Sequence, residues 1–318
     1  MVYIVVLNWN GKKDTIACIN SLVNLEGEQF TIVVCDNGSQ DNSLSEIKMC
    51  MDKHYTLLGN VISLNKNNIN TDFSIYQGKK SFLIDNVENL GFAAGNNVGI
   101  RLALNQVDCN YVWVLNNDTE VDKKSLTALV KKMELNPRLG LCGSKLVYFS
   151  DKTSLQGLGG KYNPWLGTVK HVCAYKKIND DLDEKFVEKE IDYIIGASLF
   201  FSKDCLNKVG LLSEDYFLYF EELDYSFRMK NIAEFGVASK SIIFHKEGGS
   251  TGSGKSLIAD FYAIKNRLGI AKRYSSFYMV TTIWLSLWFV LLKRLIKFEF
   301  KKSVNIGSII IGLNKKIF

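Results

Sequence analysis

Residues 2–7 form an unbroken apolar run, VYIVVL. That is the pattern of a strand buried on both faces of a sheet. Residues 12–25 follow with helical spacing, which places Ile16, Ile19 and Leu22/Val23 on one face. A second β-rich run covers residues 31–35, and Ser39 is placed to N-cap the next helix. Residues 81–87 read as a strand, 93–104 as a helix and 111–115 as a strand. This β-α-β alternation predicts an α/β fold with a doubly wound, mostly parallel sheet and right-handed crossovers. Ligands of such sheets bind beyond the C-terminal strand ends. Asn8, Asp36 and residues 116–118 all fall at such ends.

The polar, aperiodic stretch 65–80 reads as a surface excursion. A helix is expected to begin near Lys123, and periodicity weakens over 144–190. Residues 191–202 and 237–244 read as strands, and 221–235 and 256–273 as helices. Residues 274–292 then carry no charge and approach the ~20 residues of a membrane span. Both flanks are basic (Lys272, Arg273; Lys293, Arg294), and Trp284 and Trp288 sit mid-segment. A helix lying in the headgroup region suits this pattern better than a span; a buried C-terminal helix is the alternative. The expected organisation is a catalytic unit at 1–273 and a hydrophobic helix with a basic tail at 274–318.

Composition narrows the setting. The chain has 318 residues, 47% hydrophobic and 23% charged, enough to bury a substantial core. Seven scattered cysteines form no CxxC pair, which fits a reducing compartment. No signal-peptide pattern opens the sequence. The net charge of +6 concentrates in the tail, but aromatics do not interleave with those bases as single-stranded nucleic acid requires. Anionic lipid is the expected partner instead.

Five constellations carry candidate chemistry. Asp36, in VVCDNGSQDNS, can accept from a nucleoside or cap the following helix. In NLGFAAGNN (89–97), Gly91 and Gly95 allow close backbone approach, and the asparagines offer donors. LNNDTEVD (115–122) ends a strand with acids; Asp118 is the first of them and suits a hard divalent cation. Asp122 reads better as a helix cap. FEELDYSFR (220–228) clusters Glu221, Glu222 and Asp224, and mutual repulsion raises a pKa toward that of a general base. His245 follows a strand, where it either packs in the core or completes a metal site.

Taken in order, Asp36, NLGFAAGNN, LNND, FEELD and His245 resemble the family 2 glycosyltransferases, most of all the rhamnosyltransferase-like branch that builds bacterial surface polysaccharides. The resemblance runs from residue 2 to about 273. It implies a GT-A fold and a nucleotide-sugar site comprising Asn8, Asn10, Asp36, Asn37, Asn89, Gly91, Gly95, Asn96 and Asn117. It also implies Mg²⁺ or Mn²⁺ at Asp118 and His245, and Glu222 as base, with Glu221 and Asp224 as alternatives. The implied partners are a nucleotide-diphosphate sugar, a polyprenyl-diphosphate-linked glycan acceptor and the inner face of the cell membrane. Two positions depart from the family pattern: Asn116 replaces the first D-x-D aspartate, and the usual E-D pair reads Glu221-Glu222.

Three rival readings arise. Residues 249–256, GSTGSGKS, match the P-loop pattern after a strand, but no convincing strand follows to end in a Walker-B acid. A sugar nucleotidyltransferase shares the nucleotide-first layout, yet NWNGKKDT has only one glycine. A non-catalytic scaffold would not need Asp118, Glu222 and His245 together.

Overall fold

The computed structural model describes residues 1–70, 78–246 and 256–312. In it the first apolar run is β1 (Val2–Asn8), followed by α1 (Lys12–Leu22), β2 (Phe30–Asp36), α2 (Ser43–Lys53) and the short α3 (Tyr55–Leu58). Next come β3 (Asn60–Asn65), β4 (Lys80–Asp85), α4 (Gly91–Leu104), β5 (Tyr111–Asn116), β6 (Thr119–Val121) and α5 (Ser125–Leu135). The second half holds β7 (Leu139–Tyr148), β8 (Leu155–Gly157), β9 (Gly159–Asn163), β10 (Thr168–Val172), α6 (Glu184–Glu190), β11 (Ser198–Ser202) and α7 (Lys203–Val209). It closes with α8 (Glu221–Met229), β12 (Glu234–His245), α9 (Leu257–Tyr274), α10 (Phe277–Ile296) and α11 (Phe300–Ile310).

One sheet runs in the order β3-β4-β2-β1-β5-β11-β7-β12-β6, with β8 on β7. Strands β3 to β5 pair in parallel, as the β-α-β rhythm predicts. The parallel pattern breaks at β11, which is antiparallel to β5 and β7, and at β6, which is antiparallel to β12. Residues alternate between two cores. Tyr3, Val5 and Val33 pack with α4 on one face; Ile4, Val6 and Ile32 pack with α1 and α5 on the other. Each fully buried aliphatic side chain contributes about 1.5–3 kcal/mol, whereas an exposed ion pair such as Lys48–Asp52 contributes about 1 at most. The cores therefore hold the sheet.

Several expectations are corrected. Ser39 does not cap α2; the cap position is Asn42, and the Ser39 hydroxyl turns back to Asp36. The helix expected over 221–235 ends at Met229, because the chain turns at Met229–Ala233 and enters β12. The strand expected over 191–202 shortens to Ser198–Ser202; the bend before it lets Ala197 O accept from Asn116 N at 3.1 Å. On either side of 273/274 the helices pack together. Phe261, Leu268 and Ala271 of α9 share one cluster with Ile283 and Leu287 of α10 and Ile306 and Ile309 of α11.

Helix α10 buries one stripe in that layer and exposes another, Tyr278, Thr282, Leu285, Phe289, Leu292 and Ile296, at helical spacing. Phe289 is 73% exposed and Leu285 55%, so α10 is not a buried core helix. Among the described residues it is the one helix long and apolar enough to cross a membrane. The tip of the β9–β10 hairpin adds exposed Trp165 and Leu166 beside it. Arg267 Nε donates to Leu166 O and Thr282 Oγ1 to Trp165 O, which fixes that tip against the helices.

Candidate active site

The C-terminal ends of β1, β2 and β5 meet in one polar network. Asn8 is fully buried; its Nδ2 donates to Asp36 Oδ1 at 2.6 Å and to Ser39 Oγ at 3.1 Å. Its Oδ1 accepts from Thr15 Oγ1 at 2.6 Å, and Thr15 Oγ1 accepts from Asn117 Nδ2 at 3.0 Å. A hydrogen-bonded chain thus joins the loop after β2 to the loop after β5. Gly11 lets this chain close, since a Cβ there would stand 2.7 Å from Asn117 Nδ2. Asn10 joins the network at its exposed rim, its N donating to Ser39 Oγ at 2.8 Å and its Oδ1 accepting from Gln40 N.

The resemblance placed a nucleotide against many of these residues, but the structure uses most of them internally. Asp36 has no exposed surface, and Asn8, Ser39 N and Ser39 Oγ already donate to its oxygens. Asn37 donates to Asn89 Oδ1 and Gly91 O and accepts from Asn86 Nδ2. Asn96 is fully buried, with Nδ2 on Phe92 O. The glycines also lie close to other parts of the chain. A Cβ on Gly91 (φ +82°) would meet Phe217 O at 2.5 Å, and one on Gly95 would meet Leu7 Cδ1 at 2.7 Å. Asn8, Asp36, Asn37, Gly91, Gly95 and Asn96 are thus engaged within the protein, whereas Asn10 is exposed and Asn89 half-buried. Trp9, 38% exposed at the end of β1, is a surface residue that the sequence reading did not single out. An aromatic just past a strand end was the available signal.

Asp118 sits in the turn between β5 and β6. Strand β6 pairs antiparallel with β12, opposing Thr119 to His245, and Lys246 N donates to Asp118 O at 3.0 Å. This register brings His245 Nε2 to 3.2 Å from Asp118 Oδ1, with both residues nearly buried. Asn116 Oδ1, also buried, has no hydrogen-bond partner among the described residues. A carboxylate and an imidazole suit Mn²⁺ or Mg²⁺. No described cluster of three or more His, Cys, Asp or Glu side chains is arranged to hold a metal. Asp118 and His245 together supply one carboxylate oxygen and one imidazole nitrogen. The residues fit the group.

Helix α8 starts from a strained approach. Tyr219 (φ 68°) and Phe220 (φ 76°) are both left-handed, at a cost of about 1–3 kcal/mol each. Asn266 Nδ2 of α9 holds this turn by donating to Leu218 O and Tyr219 O. The turn sets Glu221 and Glu222 at the helix start. Oε2 of each lacks a hydrogen-bond partner among the described residues. Burial pushes Glu222 up to about 7; burial and then the Glu222 charge hold Glu221 well above the ordinary carboxylate range. A Cβ on Gly196 would lie 3.7 Å from Glu222 Cδ, and the adjacent Ala197 bonds Asn116. Glu222 therefore reaches the end of the sheet that carries Asp118. Asp224 is employed differently. It is fully buried, with Arg228 Nε at 2.8 Å, Arg273 Nη1 at 2.9 Å and Tyr274 OH at 2.8 Å donating to its oxygens.

The P-loop-like stretch 249–256 lies outside the described residues except for Ser256, whose Oγ accepts from Ala259 N and caps α9. The described residues beyond it form α9, α10 and α11, with no strand among them to carry a Walker-B acid.

The sequence pattern of glycosyl transferase family 2 matches residues 3–209. A low-salt glycan biosynthesis hexosyltransferase of Haloferax volcanii is 24% identical over 148 residues, a stretch covering 46% of this chain and 45% of that protein. Among solved structures, a mannosyltransferase of Pyrobaculum calidifontis, in complex with GDP-Man and Mn²⁺, superposes with a TM-score of 0.55 at 13% identity over 97% of this chain and 73% of its own. S. aureus TarS 1–349 gives 0.52 at 12% identity over 96% and 71%. GalNAc-T7 with UDP, GalNAc and Mn²⁺ gives 0.60 at 13% identity over 87% and 48%. These likenesses establish the GT-A fold. With more than half of its length matched by the family pattern, the chain belongs to glycosyl transferase family 2.

Proposed function

We propose that the protein is an inverting glycosyltransferase that moves a sugar from a nucleoside-diphosphate donor to an acceptor hydroxyl. The observation that carries this reading is that His245 Nε2 lies 3.2 Å from Asp118 Oδ1, while Glu222, whose Oε2 has no hydrogen-bond partner among the described residues, lies beside Gly196 next to the strand pairing that leads to Asp118. Bound there, Mg²⁺ or Mn²⁺ would neutralise charge on the leaving diphosphate. Asp118 and His245 hold the cation, Asn10 and Asn89 border the nucleotide, and Trp9 stacks on its base. Glu222 Oε2 takes the acceptor proton as that hydroxyl attacks the anomeric carbon. One in-line displacement inverts that centre. Glu222 is favoured over Asp224 as base because two arginines and Tyr274 already donate to the Asp224 oxygens.

The resemblance favours rhamnose as donor sugar and a polyprenyl-diphosphate-linked glycan as acceptor, in surface polysaccharides such as O-antigen or capsule. The exposed apolar stripe of α10 and the basic residues beyond it support a peripheral site on the inner membrane face. The test is Glu222→Gln. Once a thermal-shift screen with and without Mn²⁺ has found the donor, the variant is expected to bind it normally and to lose about 10²–10⁴-fold in kcat. Near-full transfer would refute the base assignment.

A further inference from the structure

We infer that Gln156 is a positioning residue that fixes the ring of His245 so that Nε2 faces the cation site. The inference rests on the reading of His245 as a metal ligand. Gln156 lies on β8 and is 1% exposed; its Oε1 is 2.8 Å from His245 Nδ1. A carboxamide oxygen only accepts. Nδ1 therefore carries the hydrogen, and in the neutral ring the lone pair falls on Nε2, which lies 3.2 Å from Asp118 Oδ1. Two acceptor atoms converging at that distance form a site that a cation completes. Imidazole ligands are commonly oriented in this way by an acceptor on the other nitrogen.

The placement of Gln156 is built by the backbone. Strand β8 pairs with β7 through Leu146↔Gly157 and Val147↔Leu155. On its other side Leu155 N donates to Lys176 O and Leu155 O accepts from Tyr175 N. Gln156 O lies 3.1 Å from His171 Nδ1. Strand β7 in turn pairs with β12, opposing Tyr148 to His245. The β7–β8 register shifts between Leu146 and Val147, at Gln156, and β7, β12 and β6 then bring this residue, His245 and Asp118, in the turn before β6, to one end of the sheet.

The experiment measures binding of MnCl₂ to the full chain by the loss of free-Mn²⁺ EPR signal. Gln156→Met keeps the shape and removes the acceptor; it is expected to weaken Mn²⁺ binding about 10–100-fold. Gln156→Glu restores an acceptor and is expected to stay within a few-fold of the parent. In parallel, long-range ¹H–¹⁵N spectra of the unaltered protein at pH 8 report the tautomer of each of its three histidines. The expected form of His245 is Nδ1–H. A Gln156→Met protein that binds Mn²⁺ like the parent, or an Nε2–H tautomer at His245, overturns the inference. His245→Ala binding Mn²⁺ like the parent would instead remove the metal-ligand reading beneath it.

Discussion

Glu221 and Glu222 occupy neighbouring positions on the first turn of α8, where each carboxylate loses water and its Oε2 has no hydrogen-bond partner among the described residues. The fold therefore favours their protonated forms. A carboxyl with a raised folded pKa stabilises fully below its unfolded value, about 4.5 here, and that stability is lost as pH rises through about 7 for Glu222. Two consequences follow in opposite directions. The transfer rate should climb as pH rises through about 7, because only ionised Glu222 accepts a proton. The melting temperature should behave inversely: Glu222→Gln should match the parent at pH 5 and exceed it at pH 8. Equal melting temperatures at both pH values would contradict the buried-acid account. At this scale the clustering of acids over residues 220–228 was legible, but the different surroundings of those acids were not. What separates Asp224 from Glu222 is Arg228 within the motif together with Arg273 and Tyr274, 49 and 50 residues further on, which nothing local announces.

Among the elements, α8 and α9 are tied through Asp224. Arg273 and Tyr274 at the end of α9 meet Asp224, and Asn266 holds the strained turn that aims Glu222. Removing a buried carboxylate from such a cluster costs about 3 kcal/mol, the low end for a broken buried pair, because Arg228 and Arg273 keep partial access to water. Asp224→Ala should therefore lower the chemical-denaturation midpoint sharply, whereas Glu222→Gln at neutral pH should not. An Asp224→Ala protein of parental stability would contradict the ion-pair role. Strands β1, β2, β4 and β5 were legible because their apolar runs are continuous. Strand β3 was missed because it lies at the sheet edge and is largely half-exposed. Strands β6 and β8 have three residues each, too few to show a period. Strand β7 is interrupted by Gly140, Gly143 and Lys145; the glycines are needed because a Cβ there would strike Cys205 and Ile194.

For the whole molecule, the packing of α9 with α10 and α11 changes how membrane association can be tested. Deleting residues 279–318 would strip the cluster around Phe261 and Leu268, and loss of binding would then be confounded with unfolding. Replacing exposed Leu285, Phe289 and Leu292 with serine avoids this. Each buried apolar side chain is worth about 1.5–3 kcal/mol, against about 1 kcal/mol per lysine near an anionic surface. The stripe should thus outweigh Lys293, Lys297 and Lys301, and binding should survive moderate salt. The parent is expected to sediment with vesicles containing phosphatidylserine, and the triple variant to stay in the supernatant with its fold intact. A parent that stays soluble beside such vesicles would contradict the membrane reading.

The most direct test of the central claim follows nucleoside diphosphate released from a panel of nucleotide sugars by the parent and by Asp118→Ala, with Mn²⁺ or with EDTA. The account predicts release from at least one donor with Mn²⁺, and loss of that release both in EDTA and in Asp118→Ala. Release by Asp118→Ala at the parent rate, or release unaffected by EDTA, would contradict it.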